Sequence, residues 1–231
     1  MTVEGENSII LRNMDYSYPK NQSKALQSVD FVLSPGDFVV LTGVSGSGKT
    51  TLIRALRGEI VPTCGDLQIL GRYIRKKRNI NSLILRRRIA VVYQDFKLIE
   101  NKTVFDNVAY PLEVSGYSPA SVKVRTMESL EMLHLDQYIH KYPKDISGGE
   151  TQRVAIARAI SMKPAVILAD EPTGNLDTDS GVNVFTVLKN LSMTGTAVLI
   201  ATHDTASCEN IESLRYVMTG GVLRSEEYSF V

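Results

Sequence analysis

The segment Gly43-Val44-Ser45-Gly46-Ser47-Gly48-Lys49-Thr50 constrains the chain more than any other. It follows an apolar run, Phe38 to Thr42, and precedes a segment, Thr51 to Arg57, that reads as helix. A phosphate-binding loop needs this order of strand, glycine-rich turn and helix. Its amides can then curl around an anion at the positive end of a helix dipole. In such a loop Gly43, Val44, Ser45, Gly46, Ser47, Gly48 and Thr51 surround the phosphates. Lys49 reaches the β- and γ-phosphates, and the Thr50 hydroxyl holds Mg²⁺. The plainer reading is a flexible glycine turn beside an isolated lysine. By chance, G-x4-G-K-[ST] should arise in roughly one chain of this length in a hundred.

A chain of 231 residues with 43% apolar and 22% charged residues can build one large α/β domain, or one with an inserted subdomain. A net charge of +1 argues against a role driven by bulk attraction to nucleic acid or a membrane surface. Cys64 and Cys208 match no metal-ligand spacing and read as reduced thiols. The first residues lack the basic-then-apolar pattern of a signal peptide, and no apolar run reaches 18 residues. Any membrane role is therefore expected to come through a partner.

In chain order, Ile9 to Leu11 and Val29 to Leu33 bracket a polar loop at 19–24, and the second run alternates as a half-exposed antiparallel strand does. Tyr16 and Tyr18 stand just before that loop, as edge-strand residues or as a platform on which a base stacks. On propensity alone the edge position suits them better. Phe38 to Thr42 lacks alternation, as a strand buried on both faces of a parallel sheet does. Asp66 to Leu70 reads as a further strand. The Lys- and Arg-rich stretch 72–88 reads as a solvated face and loop, or alternatively as a contact with acidic groups near a membrane. Ile89 to Tyr93 is a buried strand with Gln94 at its end.

Residues 95–149 change character. Thr103 can cap a helix that runs to Val114 and stops at Gly116, and Ser118-Pro119 opens another. Met127, Leu130 and Leu133 recur at helical spacing, which points to a core face. The expected organisation is a single domain whose catalytic core, 1–94 and 150–231, carries a helical subdomain at 95–149. Within the insert, Phe96, Leu98, Ile99, Val104, Phe105 and Tyr110 are expected to divide between its core and a groove that receives a short partner helix. Strands at 165–170 and 196–201, a helix at 179–192 and a final Gly220-Gly221 hairpin complete a doubly wound parallel sheet.

Asp170 ends a buried strand and Glu171 follows it. Ligands of open α/β sheets bind at the carboxyl ends of strands, so Asp170 is suited to Mg²⁺ and Glu171 to polarising a water. Two acids at a strand end are ordinary by themselves; the phosphate loop makes them functional candidates. Ser147-Gly148-Gly149 opens the helix at 150–162 and forms a second anion site. Two such helix starts in one chain suggest that the second serves a neighbouring protomer's nucleotide.

Ile146-Ser147-Gly148-Gly149-Glu150-Thr151-Gln152-Arg153 resembles the signature of the ABC ATPases, departing from the common form only at Ile146 and Thr151. The resemblance covers nearly the whole chain and implies a P-loop NTPase parallel sheet core, an N-terminal antiparallel β part and an inserted α-helical subdomain. It makes Tyr18 the base-stacking aromatic, Gln94 an Mg²⁺ ligand and sensor of the partner, and Asp170-Glu171 the Walker B aspartate and catalytic glutamate. It also makes Asp177 part of the D-loop (Asn175-Leu176-Asp177) and His203 the histidine that meets the γ-phosphate. The implied activity is Mg-dependent hydrolysis of ATP by a homodimer that sandwiches two nucleotides and drives an integral membrane partner from the cytoplasmic face. Pro172 to Asp177 is similar to the FtsE, LolD and MacB group. Val104 to Leu112 and Gln94-Asp95-Phe96 look most like its FtsE branch. That branch implies an FtsX-like partner, bacterial cell division and control of cell-wall hydrolases. The LolD and MacB branches imply lipoprotein release or efflux. A soluble ABC ATPase acting on DNA or ribosomes fits less well, because such chains carry two nucleotide domains or long coiled coils. A nucleotide-binding module without turnover fits less well because Glu171 and His203 are both present.

Overall fold

The computed structural model describes residues 9–19, 23–75, 83–93, 95–174, 176, 178–203 and 211–226. They form two sheets. In the first, β1 (Ile9–Ser17), β2 (Lys24–Leu33), β4 (Cys64–Ile69) and β5 (Arg72–Tyr73) are antiparallel in the order β2-β1-β4-β5. The second joins β3 (Phe38–Thr42), β6 (Ile89–Val92), β7 (Val166–Asp170), β8 (Ala197–Ala201), β9 (Leu214–Thr219) and β10 (Val222–Glu226). Its order is β10-β9-β3-β8-β7-β6, parallel except for the β9–β10 hairpin.

The unbroken apolar runs of β3, β7 and β8 are explained by two cores, one on each face. Val39, Leu41, Leu168, Leu199 and Ala201 face one core. It is closed by the antiparallel sheet and by α1 (Lys49–Leu56), so on this face a second sheet takes the place that helices hold in a doubly wound fold. Val40, Ile167, Ala169, Val198 and Ile200 face the other core, where α3 (Val104–Val114), α5 (Gly148–Ser161) and α6 (Thr178–Met193) contribute Val108, Ile156 and Phe185. The period of two along each strand thus divides its side chains between two interiors, and neither face needs a polar residue.

Local chemistry sets the helix starts. Thr103 Oγ1 accepts the Asp106 amide and the Asp106 carboxylate accepts the Thr103 amide, closing a capping box on α3. Ser118 caps α4 (Pro119–Glu131), whose first residue is proline. Ser147 and Glu150 close the same kind of box on α5. A short α2 (Leu83–Arg88) leads into β6. Among the described residues, no helix is long and apolar enough to cross a membrane.

Strand register decides where the site forms. Leu41, Ala201 and Asp170 lie in one row across β3, β8 and β7. Neighbouring strands are about 4.8 Å apart. The loop after β3, Glu171 after β7 and His203 after β8 therefore leave the same edge side by side.

Candidate nucleotide site

A cleft of about 850 Å³ opens at that edge, lined by Tyr18, residues 43–51, Asp170, Glu171 and His203. The loop is built on close backbone approach. A Cβ on Gly43, whose φ is 142°, would stand 2.4 Å from the Met218 carbonyl oxygen of β9 and 2.9 Å from Ser47 Oγ. Gly43→Ala must therefore push the loop off β9. It is expected to lower the unfolding free energy by about 1–3 kcal/mol, read as a lower denaturant midpoint; an unchanged midpoint would contradict this packing. The Gly220-Gly221 turn, with φ of 55° and 85°, braces the loop from the far side: the Gly221 amide donates to the Ser47 carbonyl at 2.8 Å.

Three observations fit the loop to a polyphosphate. The N-cap of α1 is Gly48, with no side-chain cap and no acid in the first turn, so its leading amides have no competing side-chain acceptor. Ser47 Oγ is buried with no hydrogen-bond partner among the described residues. Lys49 Nζ donates to the carbonyls of Gly43 and Val44, at 2.5 and 3.3 Å, which holds its charge over the loop. A cation fits beside it. Thr50 Oγ1 donates to Asp170 Oδ2 at 3.3 Å, and burial pushes the Asp170 carboxyl above its ordinary range, opposed by the Thr50 bond. A hydroxyl and a desolvated carboxylate form an oxygen donor set whose charge a hard divalent ion would balance.

Glu171 has a φ of 51°, a left-handed conformation that an ordinary residue keeps only when its surroundings hold it. Its amide donates to the Ala201 carbonyl at 2.8 Å, which fixes the backbone. Its Oε2 accepts His203 Nδ1 at 2.8 Å and the His203 amide at 3.2 Å. The carboxylate is 14% exposed and the imidazole 74%. Glu171 is thus aimed by the strand end behind it, while His203 carries the pair into the open cleft. Tyr18 is anchored by its hydroxyl, which bonds Thr51 Oγ1 at 3.1 Å and accepts from Arg54 at 3.1 Å. Its ring meets Tyr16 edge to face; Tyr16 lies in β1, whereas Tyr18 stands just past the strand end at Ser17 and lines the cleft, so the edge-strand reading fits only Tyr16.

Ser147, Gly148 and Gly149 do not line this cleft. Ser147 Oγ accepts the Glu150 amide, and Glu150 Oε2 accepts the Ser147 amide at 2.7 Å. The Tyr138 hydroxyl, followed by the Ser147 amide, holds the Glu150 carboxyl below its usual range. Gln94 and Asp177 lie outside the described residues, as does Cys208; Cys64 is an exposed free thiol.

Of the insert residues expected to divide between core and groove, Tyr110 is 42% exposed. Val104 is fully buried, and Leu98 and Phe105 pack onto the core, because α3 turns that face toward α5 and the sheet. A second cleft of about 450 Å³ is lined by Arg57, Leu85, Tyr93, Pro111, Arg158 and Met162, with Arg87 and Glu59 also on it. Lys24, Ala25, Gln27 and the Gly220-Gly221 turn also line the nucleotide cleft. The sequence carried no local sign of their role, since only the tertiary fold brings them to the loop.

A family model described as ABC transporter matches residues 26–174. The chain is 39% identical over 217 residues to the cell division ATP-binding protein FtsE of Streptococcus pneumoniae serotype 2, covering 91% of this chain and 93% of that one. It is 38% identical to FtsE of Bacillus subtilis, covering 95% and 96%. Its fold superposes with a TM-score of 0.83 on the ATP-binding cassette MJ0796, solved as a dimer in a post-hydrolysis state bound to ADP and Pi. That similarity is at 31% identity and covers 96% of this chain and all of that one. With the loop at 43–50, Asp170-Glu171 and His203 gathered at one sheet edge, this chain belongs to the ABC transporter family of ATPases.

Proposed function

We propose that this chain is an FtsE-like subunit that binds ATP with Mg²⁺, pairs with a second copy around two nucleotides, and drives an FtsX-like integral membrane protein in bacterial cell division. The observation that carries the ATPase chemistry is the Lys49, Thr50, Asp170, Glu171 and His203 cluster, delivered to one cleft by the ends of three neighbouring strands. Lys49 and the loop amides bind the phosphates, and Tyr18 supports the base. Thr50, Asp170 and Gln94 hold Mg²⁺, which supplies neutralising charge to the phosphate oxygens. Glu171 accepts a proton from the attacking water, and His203 both orients that carboxylate and reaches the γ-phosphate. Ser147, Gly148, Gly149 and Asp177 act on the nucleotide of the other copy.

The division assignment rests on similarity to FtsE proteins over more than nine-tenths of the chain. In this reading, residues 95–149 are the helical subdomain that meets the partner, and the chain sits on the cytoplasmic face of the plasma membrane through that partner. The arginine-rimmed cleft beside Pro111 and Met162 is where the partner docks, because it combines an apolar floor with cations. Affinity purification from gently solubilised native membranes should recover an FtsX-like protein. Met162→Glu should cut that recovery at least about tenfold, as expected for a charge in an apolar contact, with ATP affinity retained. Recovery of a lipoprotein-release or efflux permease instead would contradict the division assignment. Full recovery with the folded variant would move the docking site elsewhere.

A further inference from the structure

Arg87 and Arg88, the last two residues of α2, come onto a third cleft, of about 560 Å³. Lys163 is a further cation on its wall, Ser115 and Tyr117 add hydroxyls, and Met162 and Ala165 give it an apolar side. Among the described residues, no Asp or Glu lines it. The Arg87 side chain is exposed and Arg88 is half-buried. Arg125 lies over the Tyr117 ring, 4.6 Å from its centroid, and brings another cation to the rim.

Three helices end here, which offers the cations a plainer use. α2 stops at Arg88, Ser115 is the C-cap of α3, and Met162 is the C-cap of α5. Each helix C-terminus carries about half a negative charge, so three ends offset about half of three full cations. Some of those carbonyls are already bonded: the Tyr117 amide donates to Leu112 at 3.2 Å and the Lys163 amide to Ile160 at 2.8 Å. The cleft therefore stays positive. Lys163 also pairs with Glu128 at 3.2 Å, but the two side chains are 63% and 45% exposed. Exposed pairs of this kind hold a side chain weakly, so Nζ can turn to another anion.

The cleft is remote from the nucleotide site and continuous with the second cleft. Ala165 precedes β7 and Glu171 follows it, so the two sites leave opposite ends of that strand, about 20 Å apart. Arg87 and Met162 line both the second cleft and this one. Val114, 61% exposed, ends α3 directly before Ser115. Cations beside hydroxyls suit a phosphate. A valine, a methionine and a tyrosine around them suit the boundary between headgroups and acyl chains.

We propose that this cleft binds the phosphate of an anionic phospholipid headgroup and so lays the start of β6 and β7 against the membrane beside the partner. That the cleft faces the membrane rests on the docking reading above; the binding itself needs no partner. A net charge of +1 leaves bulk attraction weak, so the placement of the cations carries the binding.

The purified chain should sediment with vesicles of equal parts phosphatidylcholine and phosphatidylglycerol, and not with phosphatidylcholine alone. Arg87→Glu combined with Lys163→Glu should weaken that binding at least about tenfold, as the loss of two basic contacts with an anionic surface implies. Arg12→Glu combined with Arg224→Glu makes the same change of net charge at exposed positions of β1 and β10. It should stay within about threefold of wild type at physiological salt, where charges beyond about 8 Å are screened. Glycerol phosphate, matched to the vesicles in total phosphate, should bind far more weakly. Equal binding would make this a site for a free phosphate ester and overturn the membrane assignment. No preference for anionic vesicles, or equal losses in the two variant pairs, would overturn the site itself. If charge reversal prevents folding, Arg87→Gln with Lys163→Gln makes the same comparison against Arg12→Gln with Arg224→Gln. Failure to recover any membrane partner would overturn the docking reading and leave the vesicle result unchanged.

Discussion

Glu171→Gln is expected to bind MgATP with near-normal affinity and to release phosphate at least about 10²-fold more slowly, the loss typical of a missing general base. The substitution keeps the side chain's length and its capacity to accept from the His203 imidazole and amide, now made by Oε2 at 2.8 and 3.2 Å. Its backbone is set independently by the bond to the Ala201 carbonyl, so the amide should occupy the place of the carboxylate. What disappears is the negative charge that can accept a proton. Binding and turnover should therefore separate, with KM little changed and kcat collapsed. Undiminished phosphate release would remove Glu171 from its assigned role and leave His203 as the group to test.

Lys49→Ala should act one step earlier. The Nζ of Lys49 already reaches the Gly43 and Val44 carbonyls, so its charge sits where phosphates enter the loop. Charge-assisted hydrogen bonds of this kind contribute about 1.5–3 kcal/mol each. Loss of two bonds to phosphate oxygens should weaken ATP binding at least about 10²-fold. The fold should survive, because the apolar face of α1, Leu52, Ile53, Ala55 and Leu56, is untouched. Calorimetry on the folded variant that gave wild-type affinity would place the phosphates elsewhere.

The parts of the site legible in the sequence were those carried by a short run with a strong local signal. The loop at 43–50 and Asp170-Glu171 each follow an unbroken apolar run, to which the loop adds its glycines, so neighbouring residues suffice to place them. β1 was legible only over Ile9–Leu11, although it continues to Ser17. Asn13, at φ 45°, interrupts the ladder, and the strand resumes around a buried Asp15 that accepts Lys24 at 2.6 Å and the Ser28 amide at 2.8 Å. A buried carboxylate paired with a half-exposed lysine looks polar in sequence and breaks the alternation that marks a strand. The orientation of the insert was hidden for a different reason. Leu98 and Phe105 read equally well as groove or core, and only α5 packing against α3 decides for the core. Arg158 donates to the carbonyls of Phe96 and Lys97, a hold that crosses from α5 to the chain beyond β6 and uses backbone oxygens, which no pattern of side chains announces.

The separation of the two glycine-containing helix starts gives the dimer its logic. The phosphate loop lines its own chain's cleft and the Ser147–Gly149 start does not. A twofold pair would lay each second start over the other chain's γ-phosphate, making the nucleotide part of the interface and its hydrolysis the event that opens it. The most direct measurement is sedimentation of Glu171→Gln with MgATP and with MgADP, at protein concentrations well above micromolar and at low salt. The expected result is dimer with MgATP and monomer with MgADP. Equal monomer fractions with both nucleotides would contradict the sandwich for this chain.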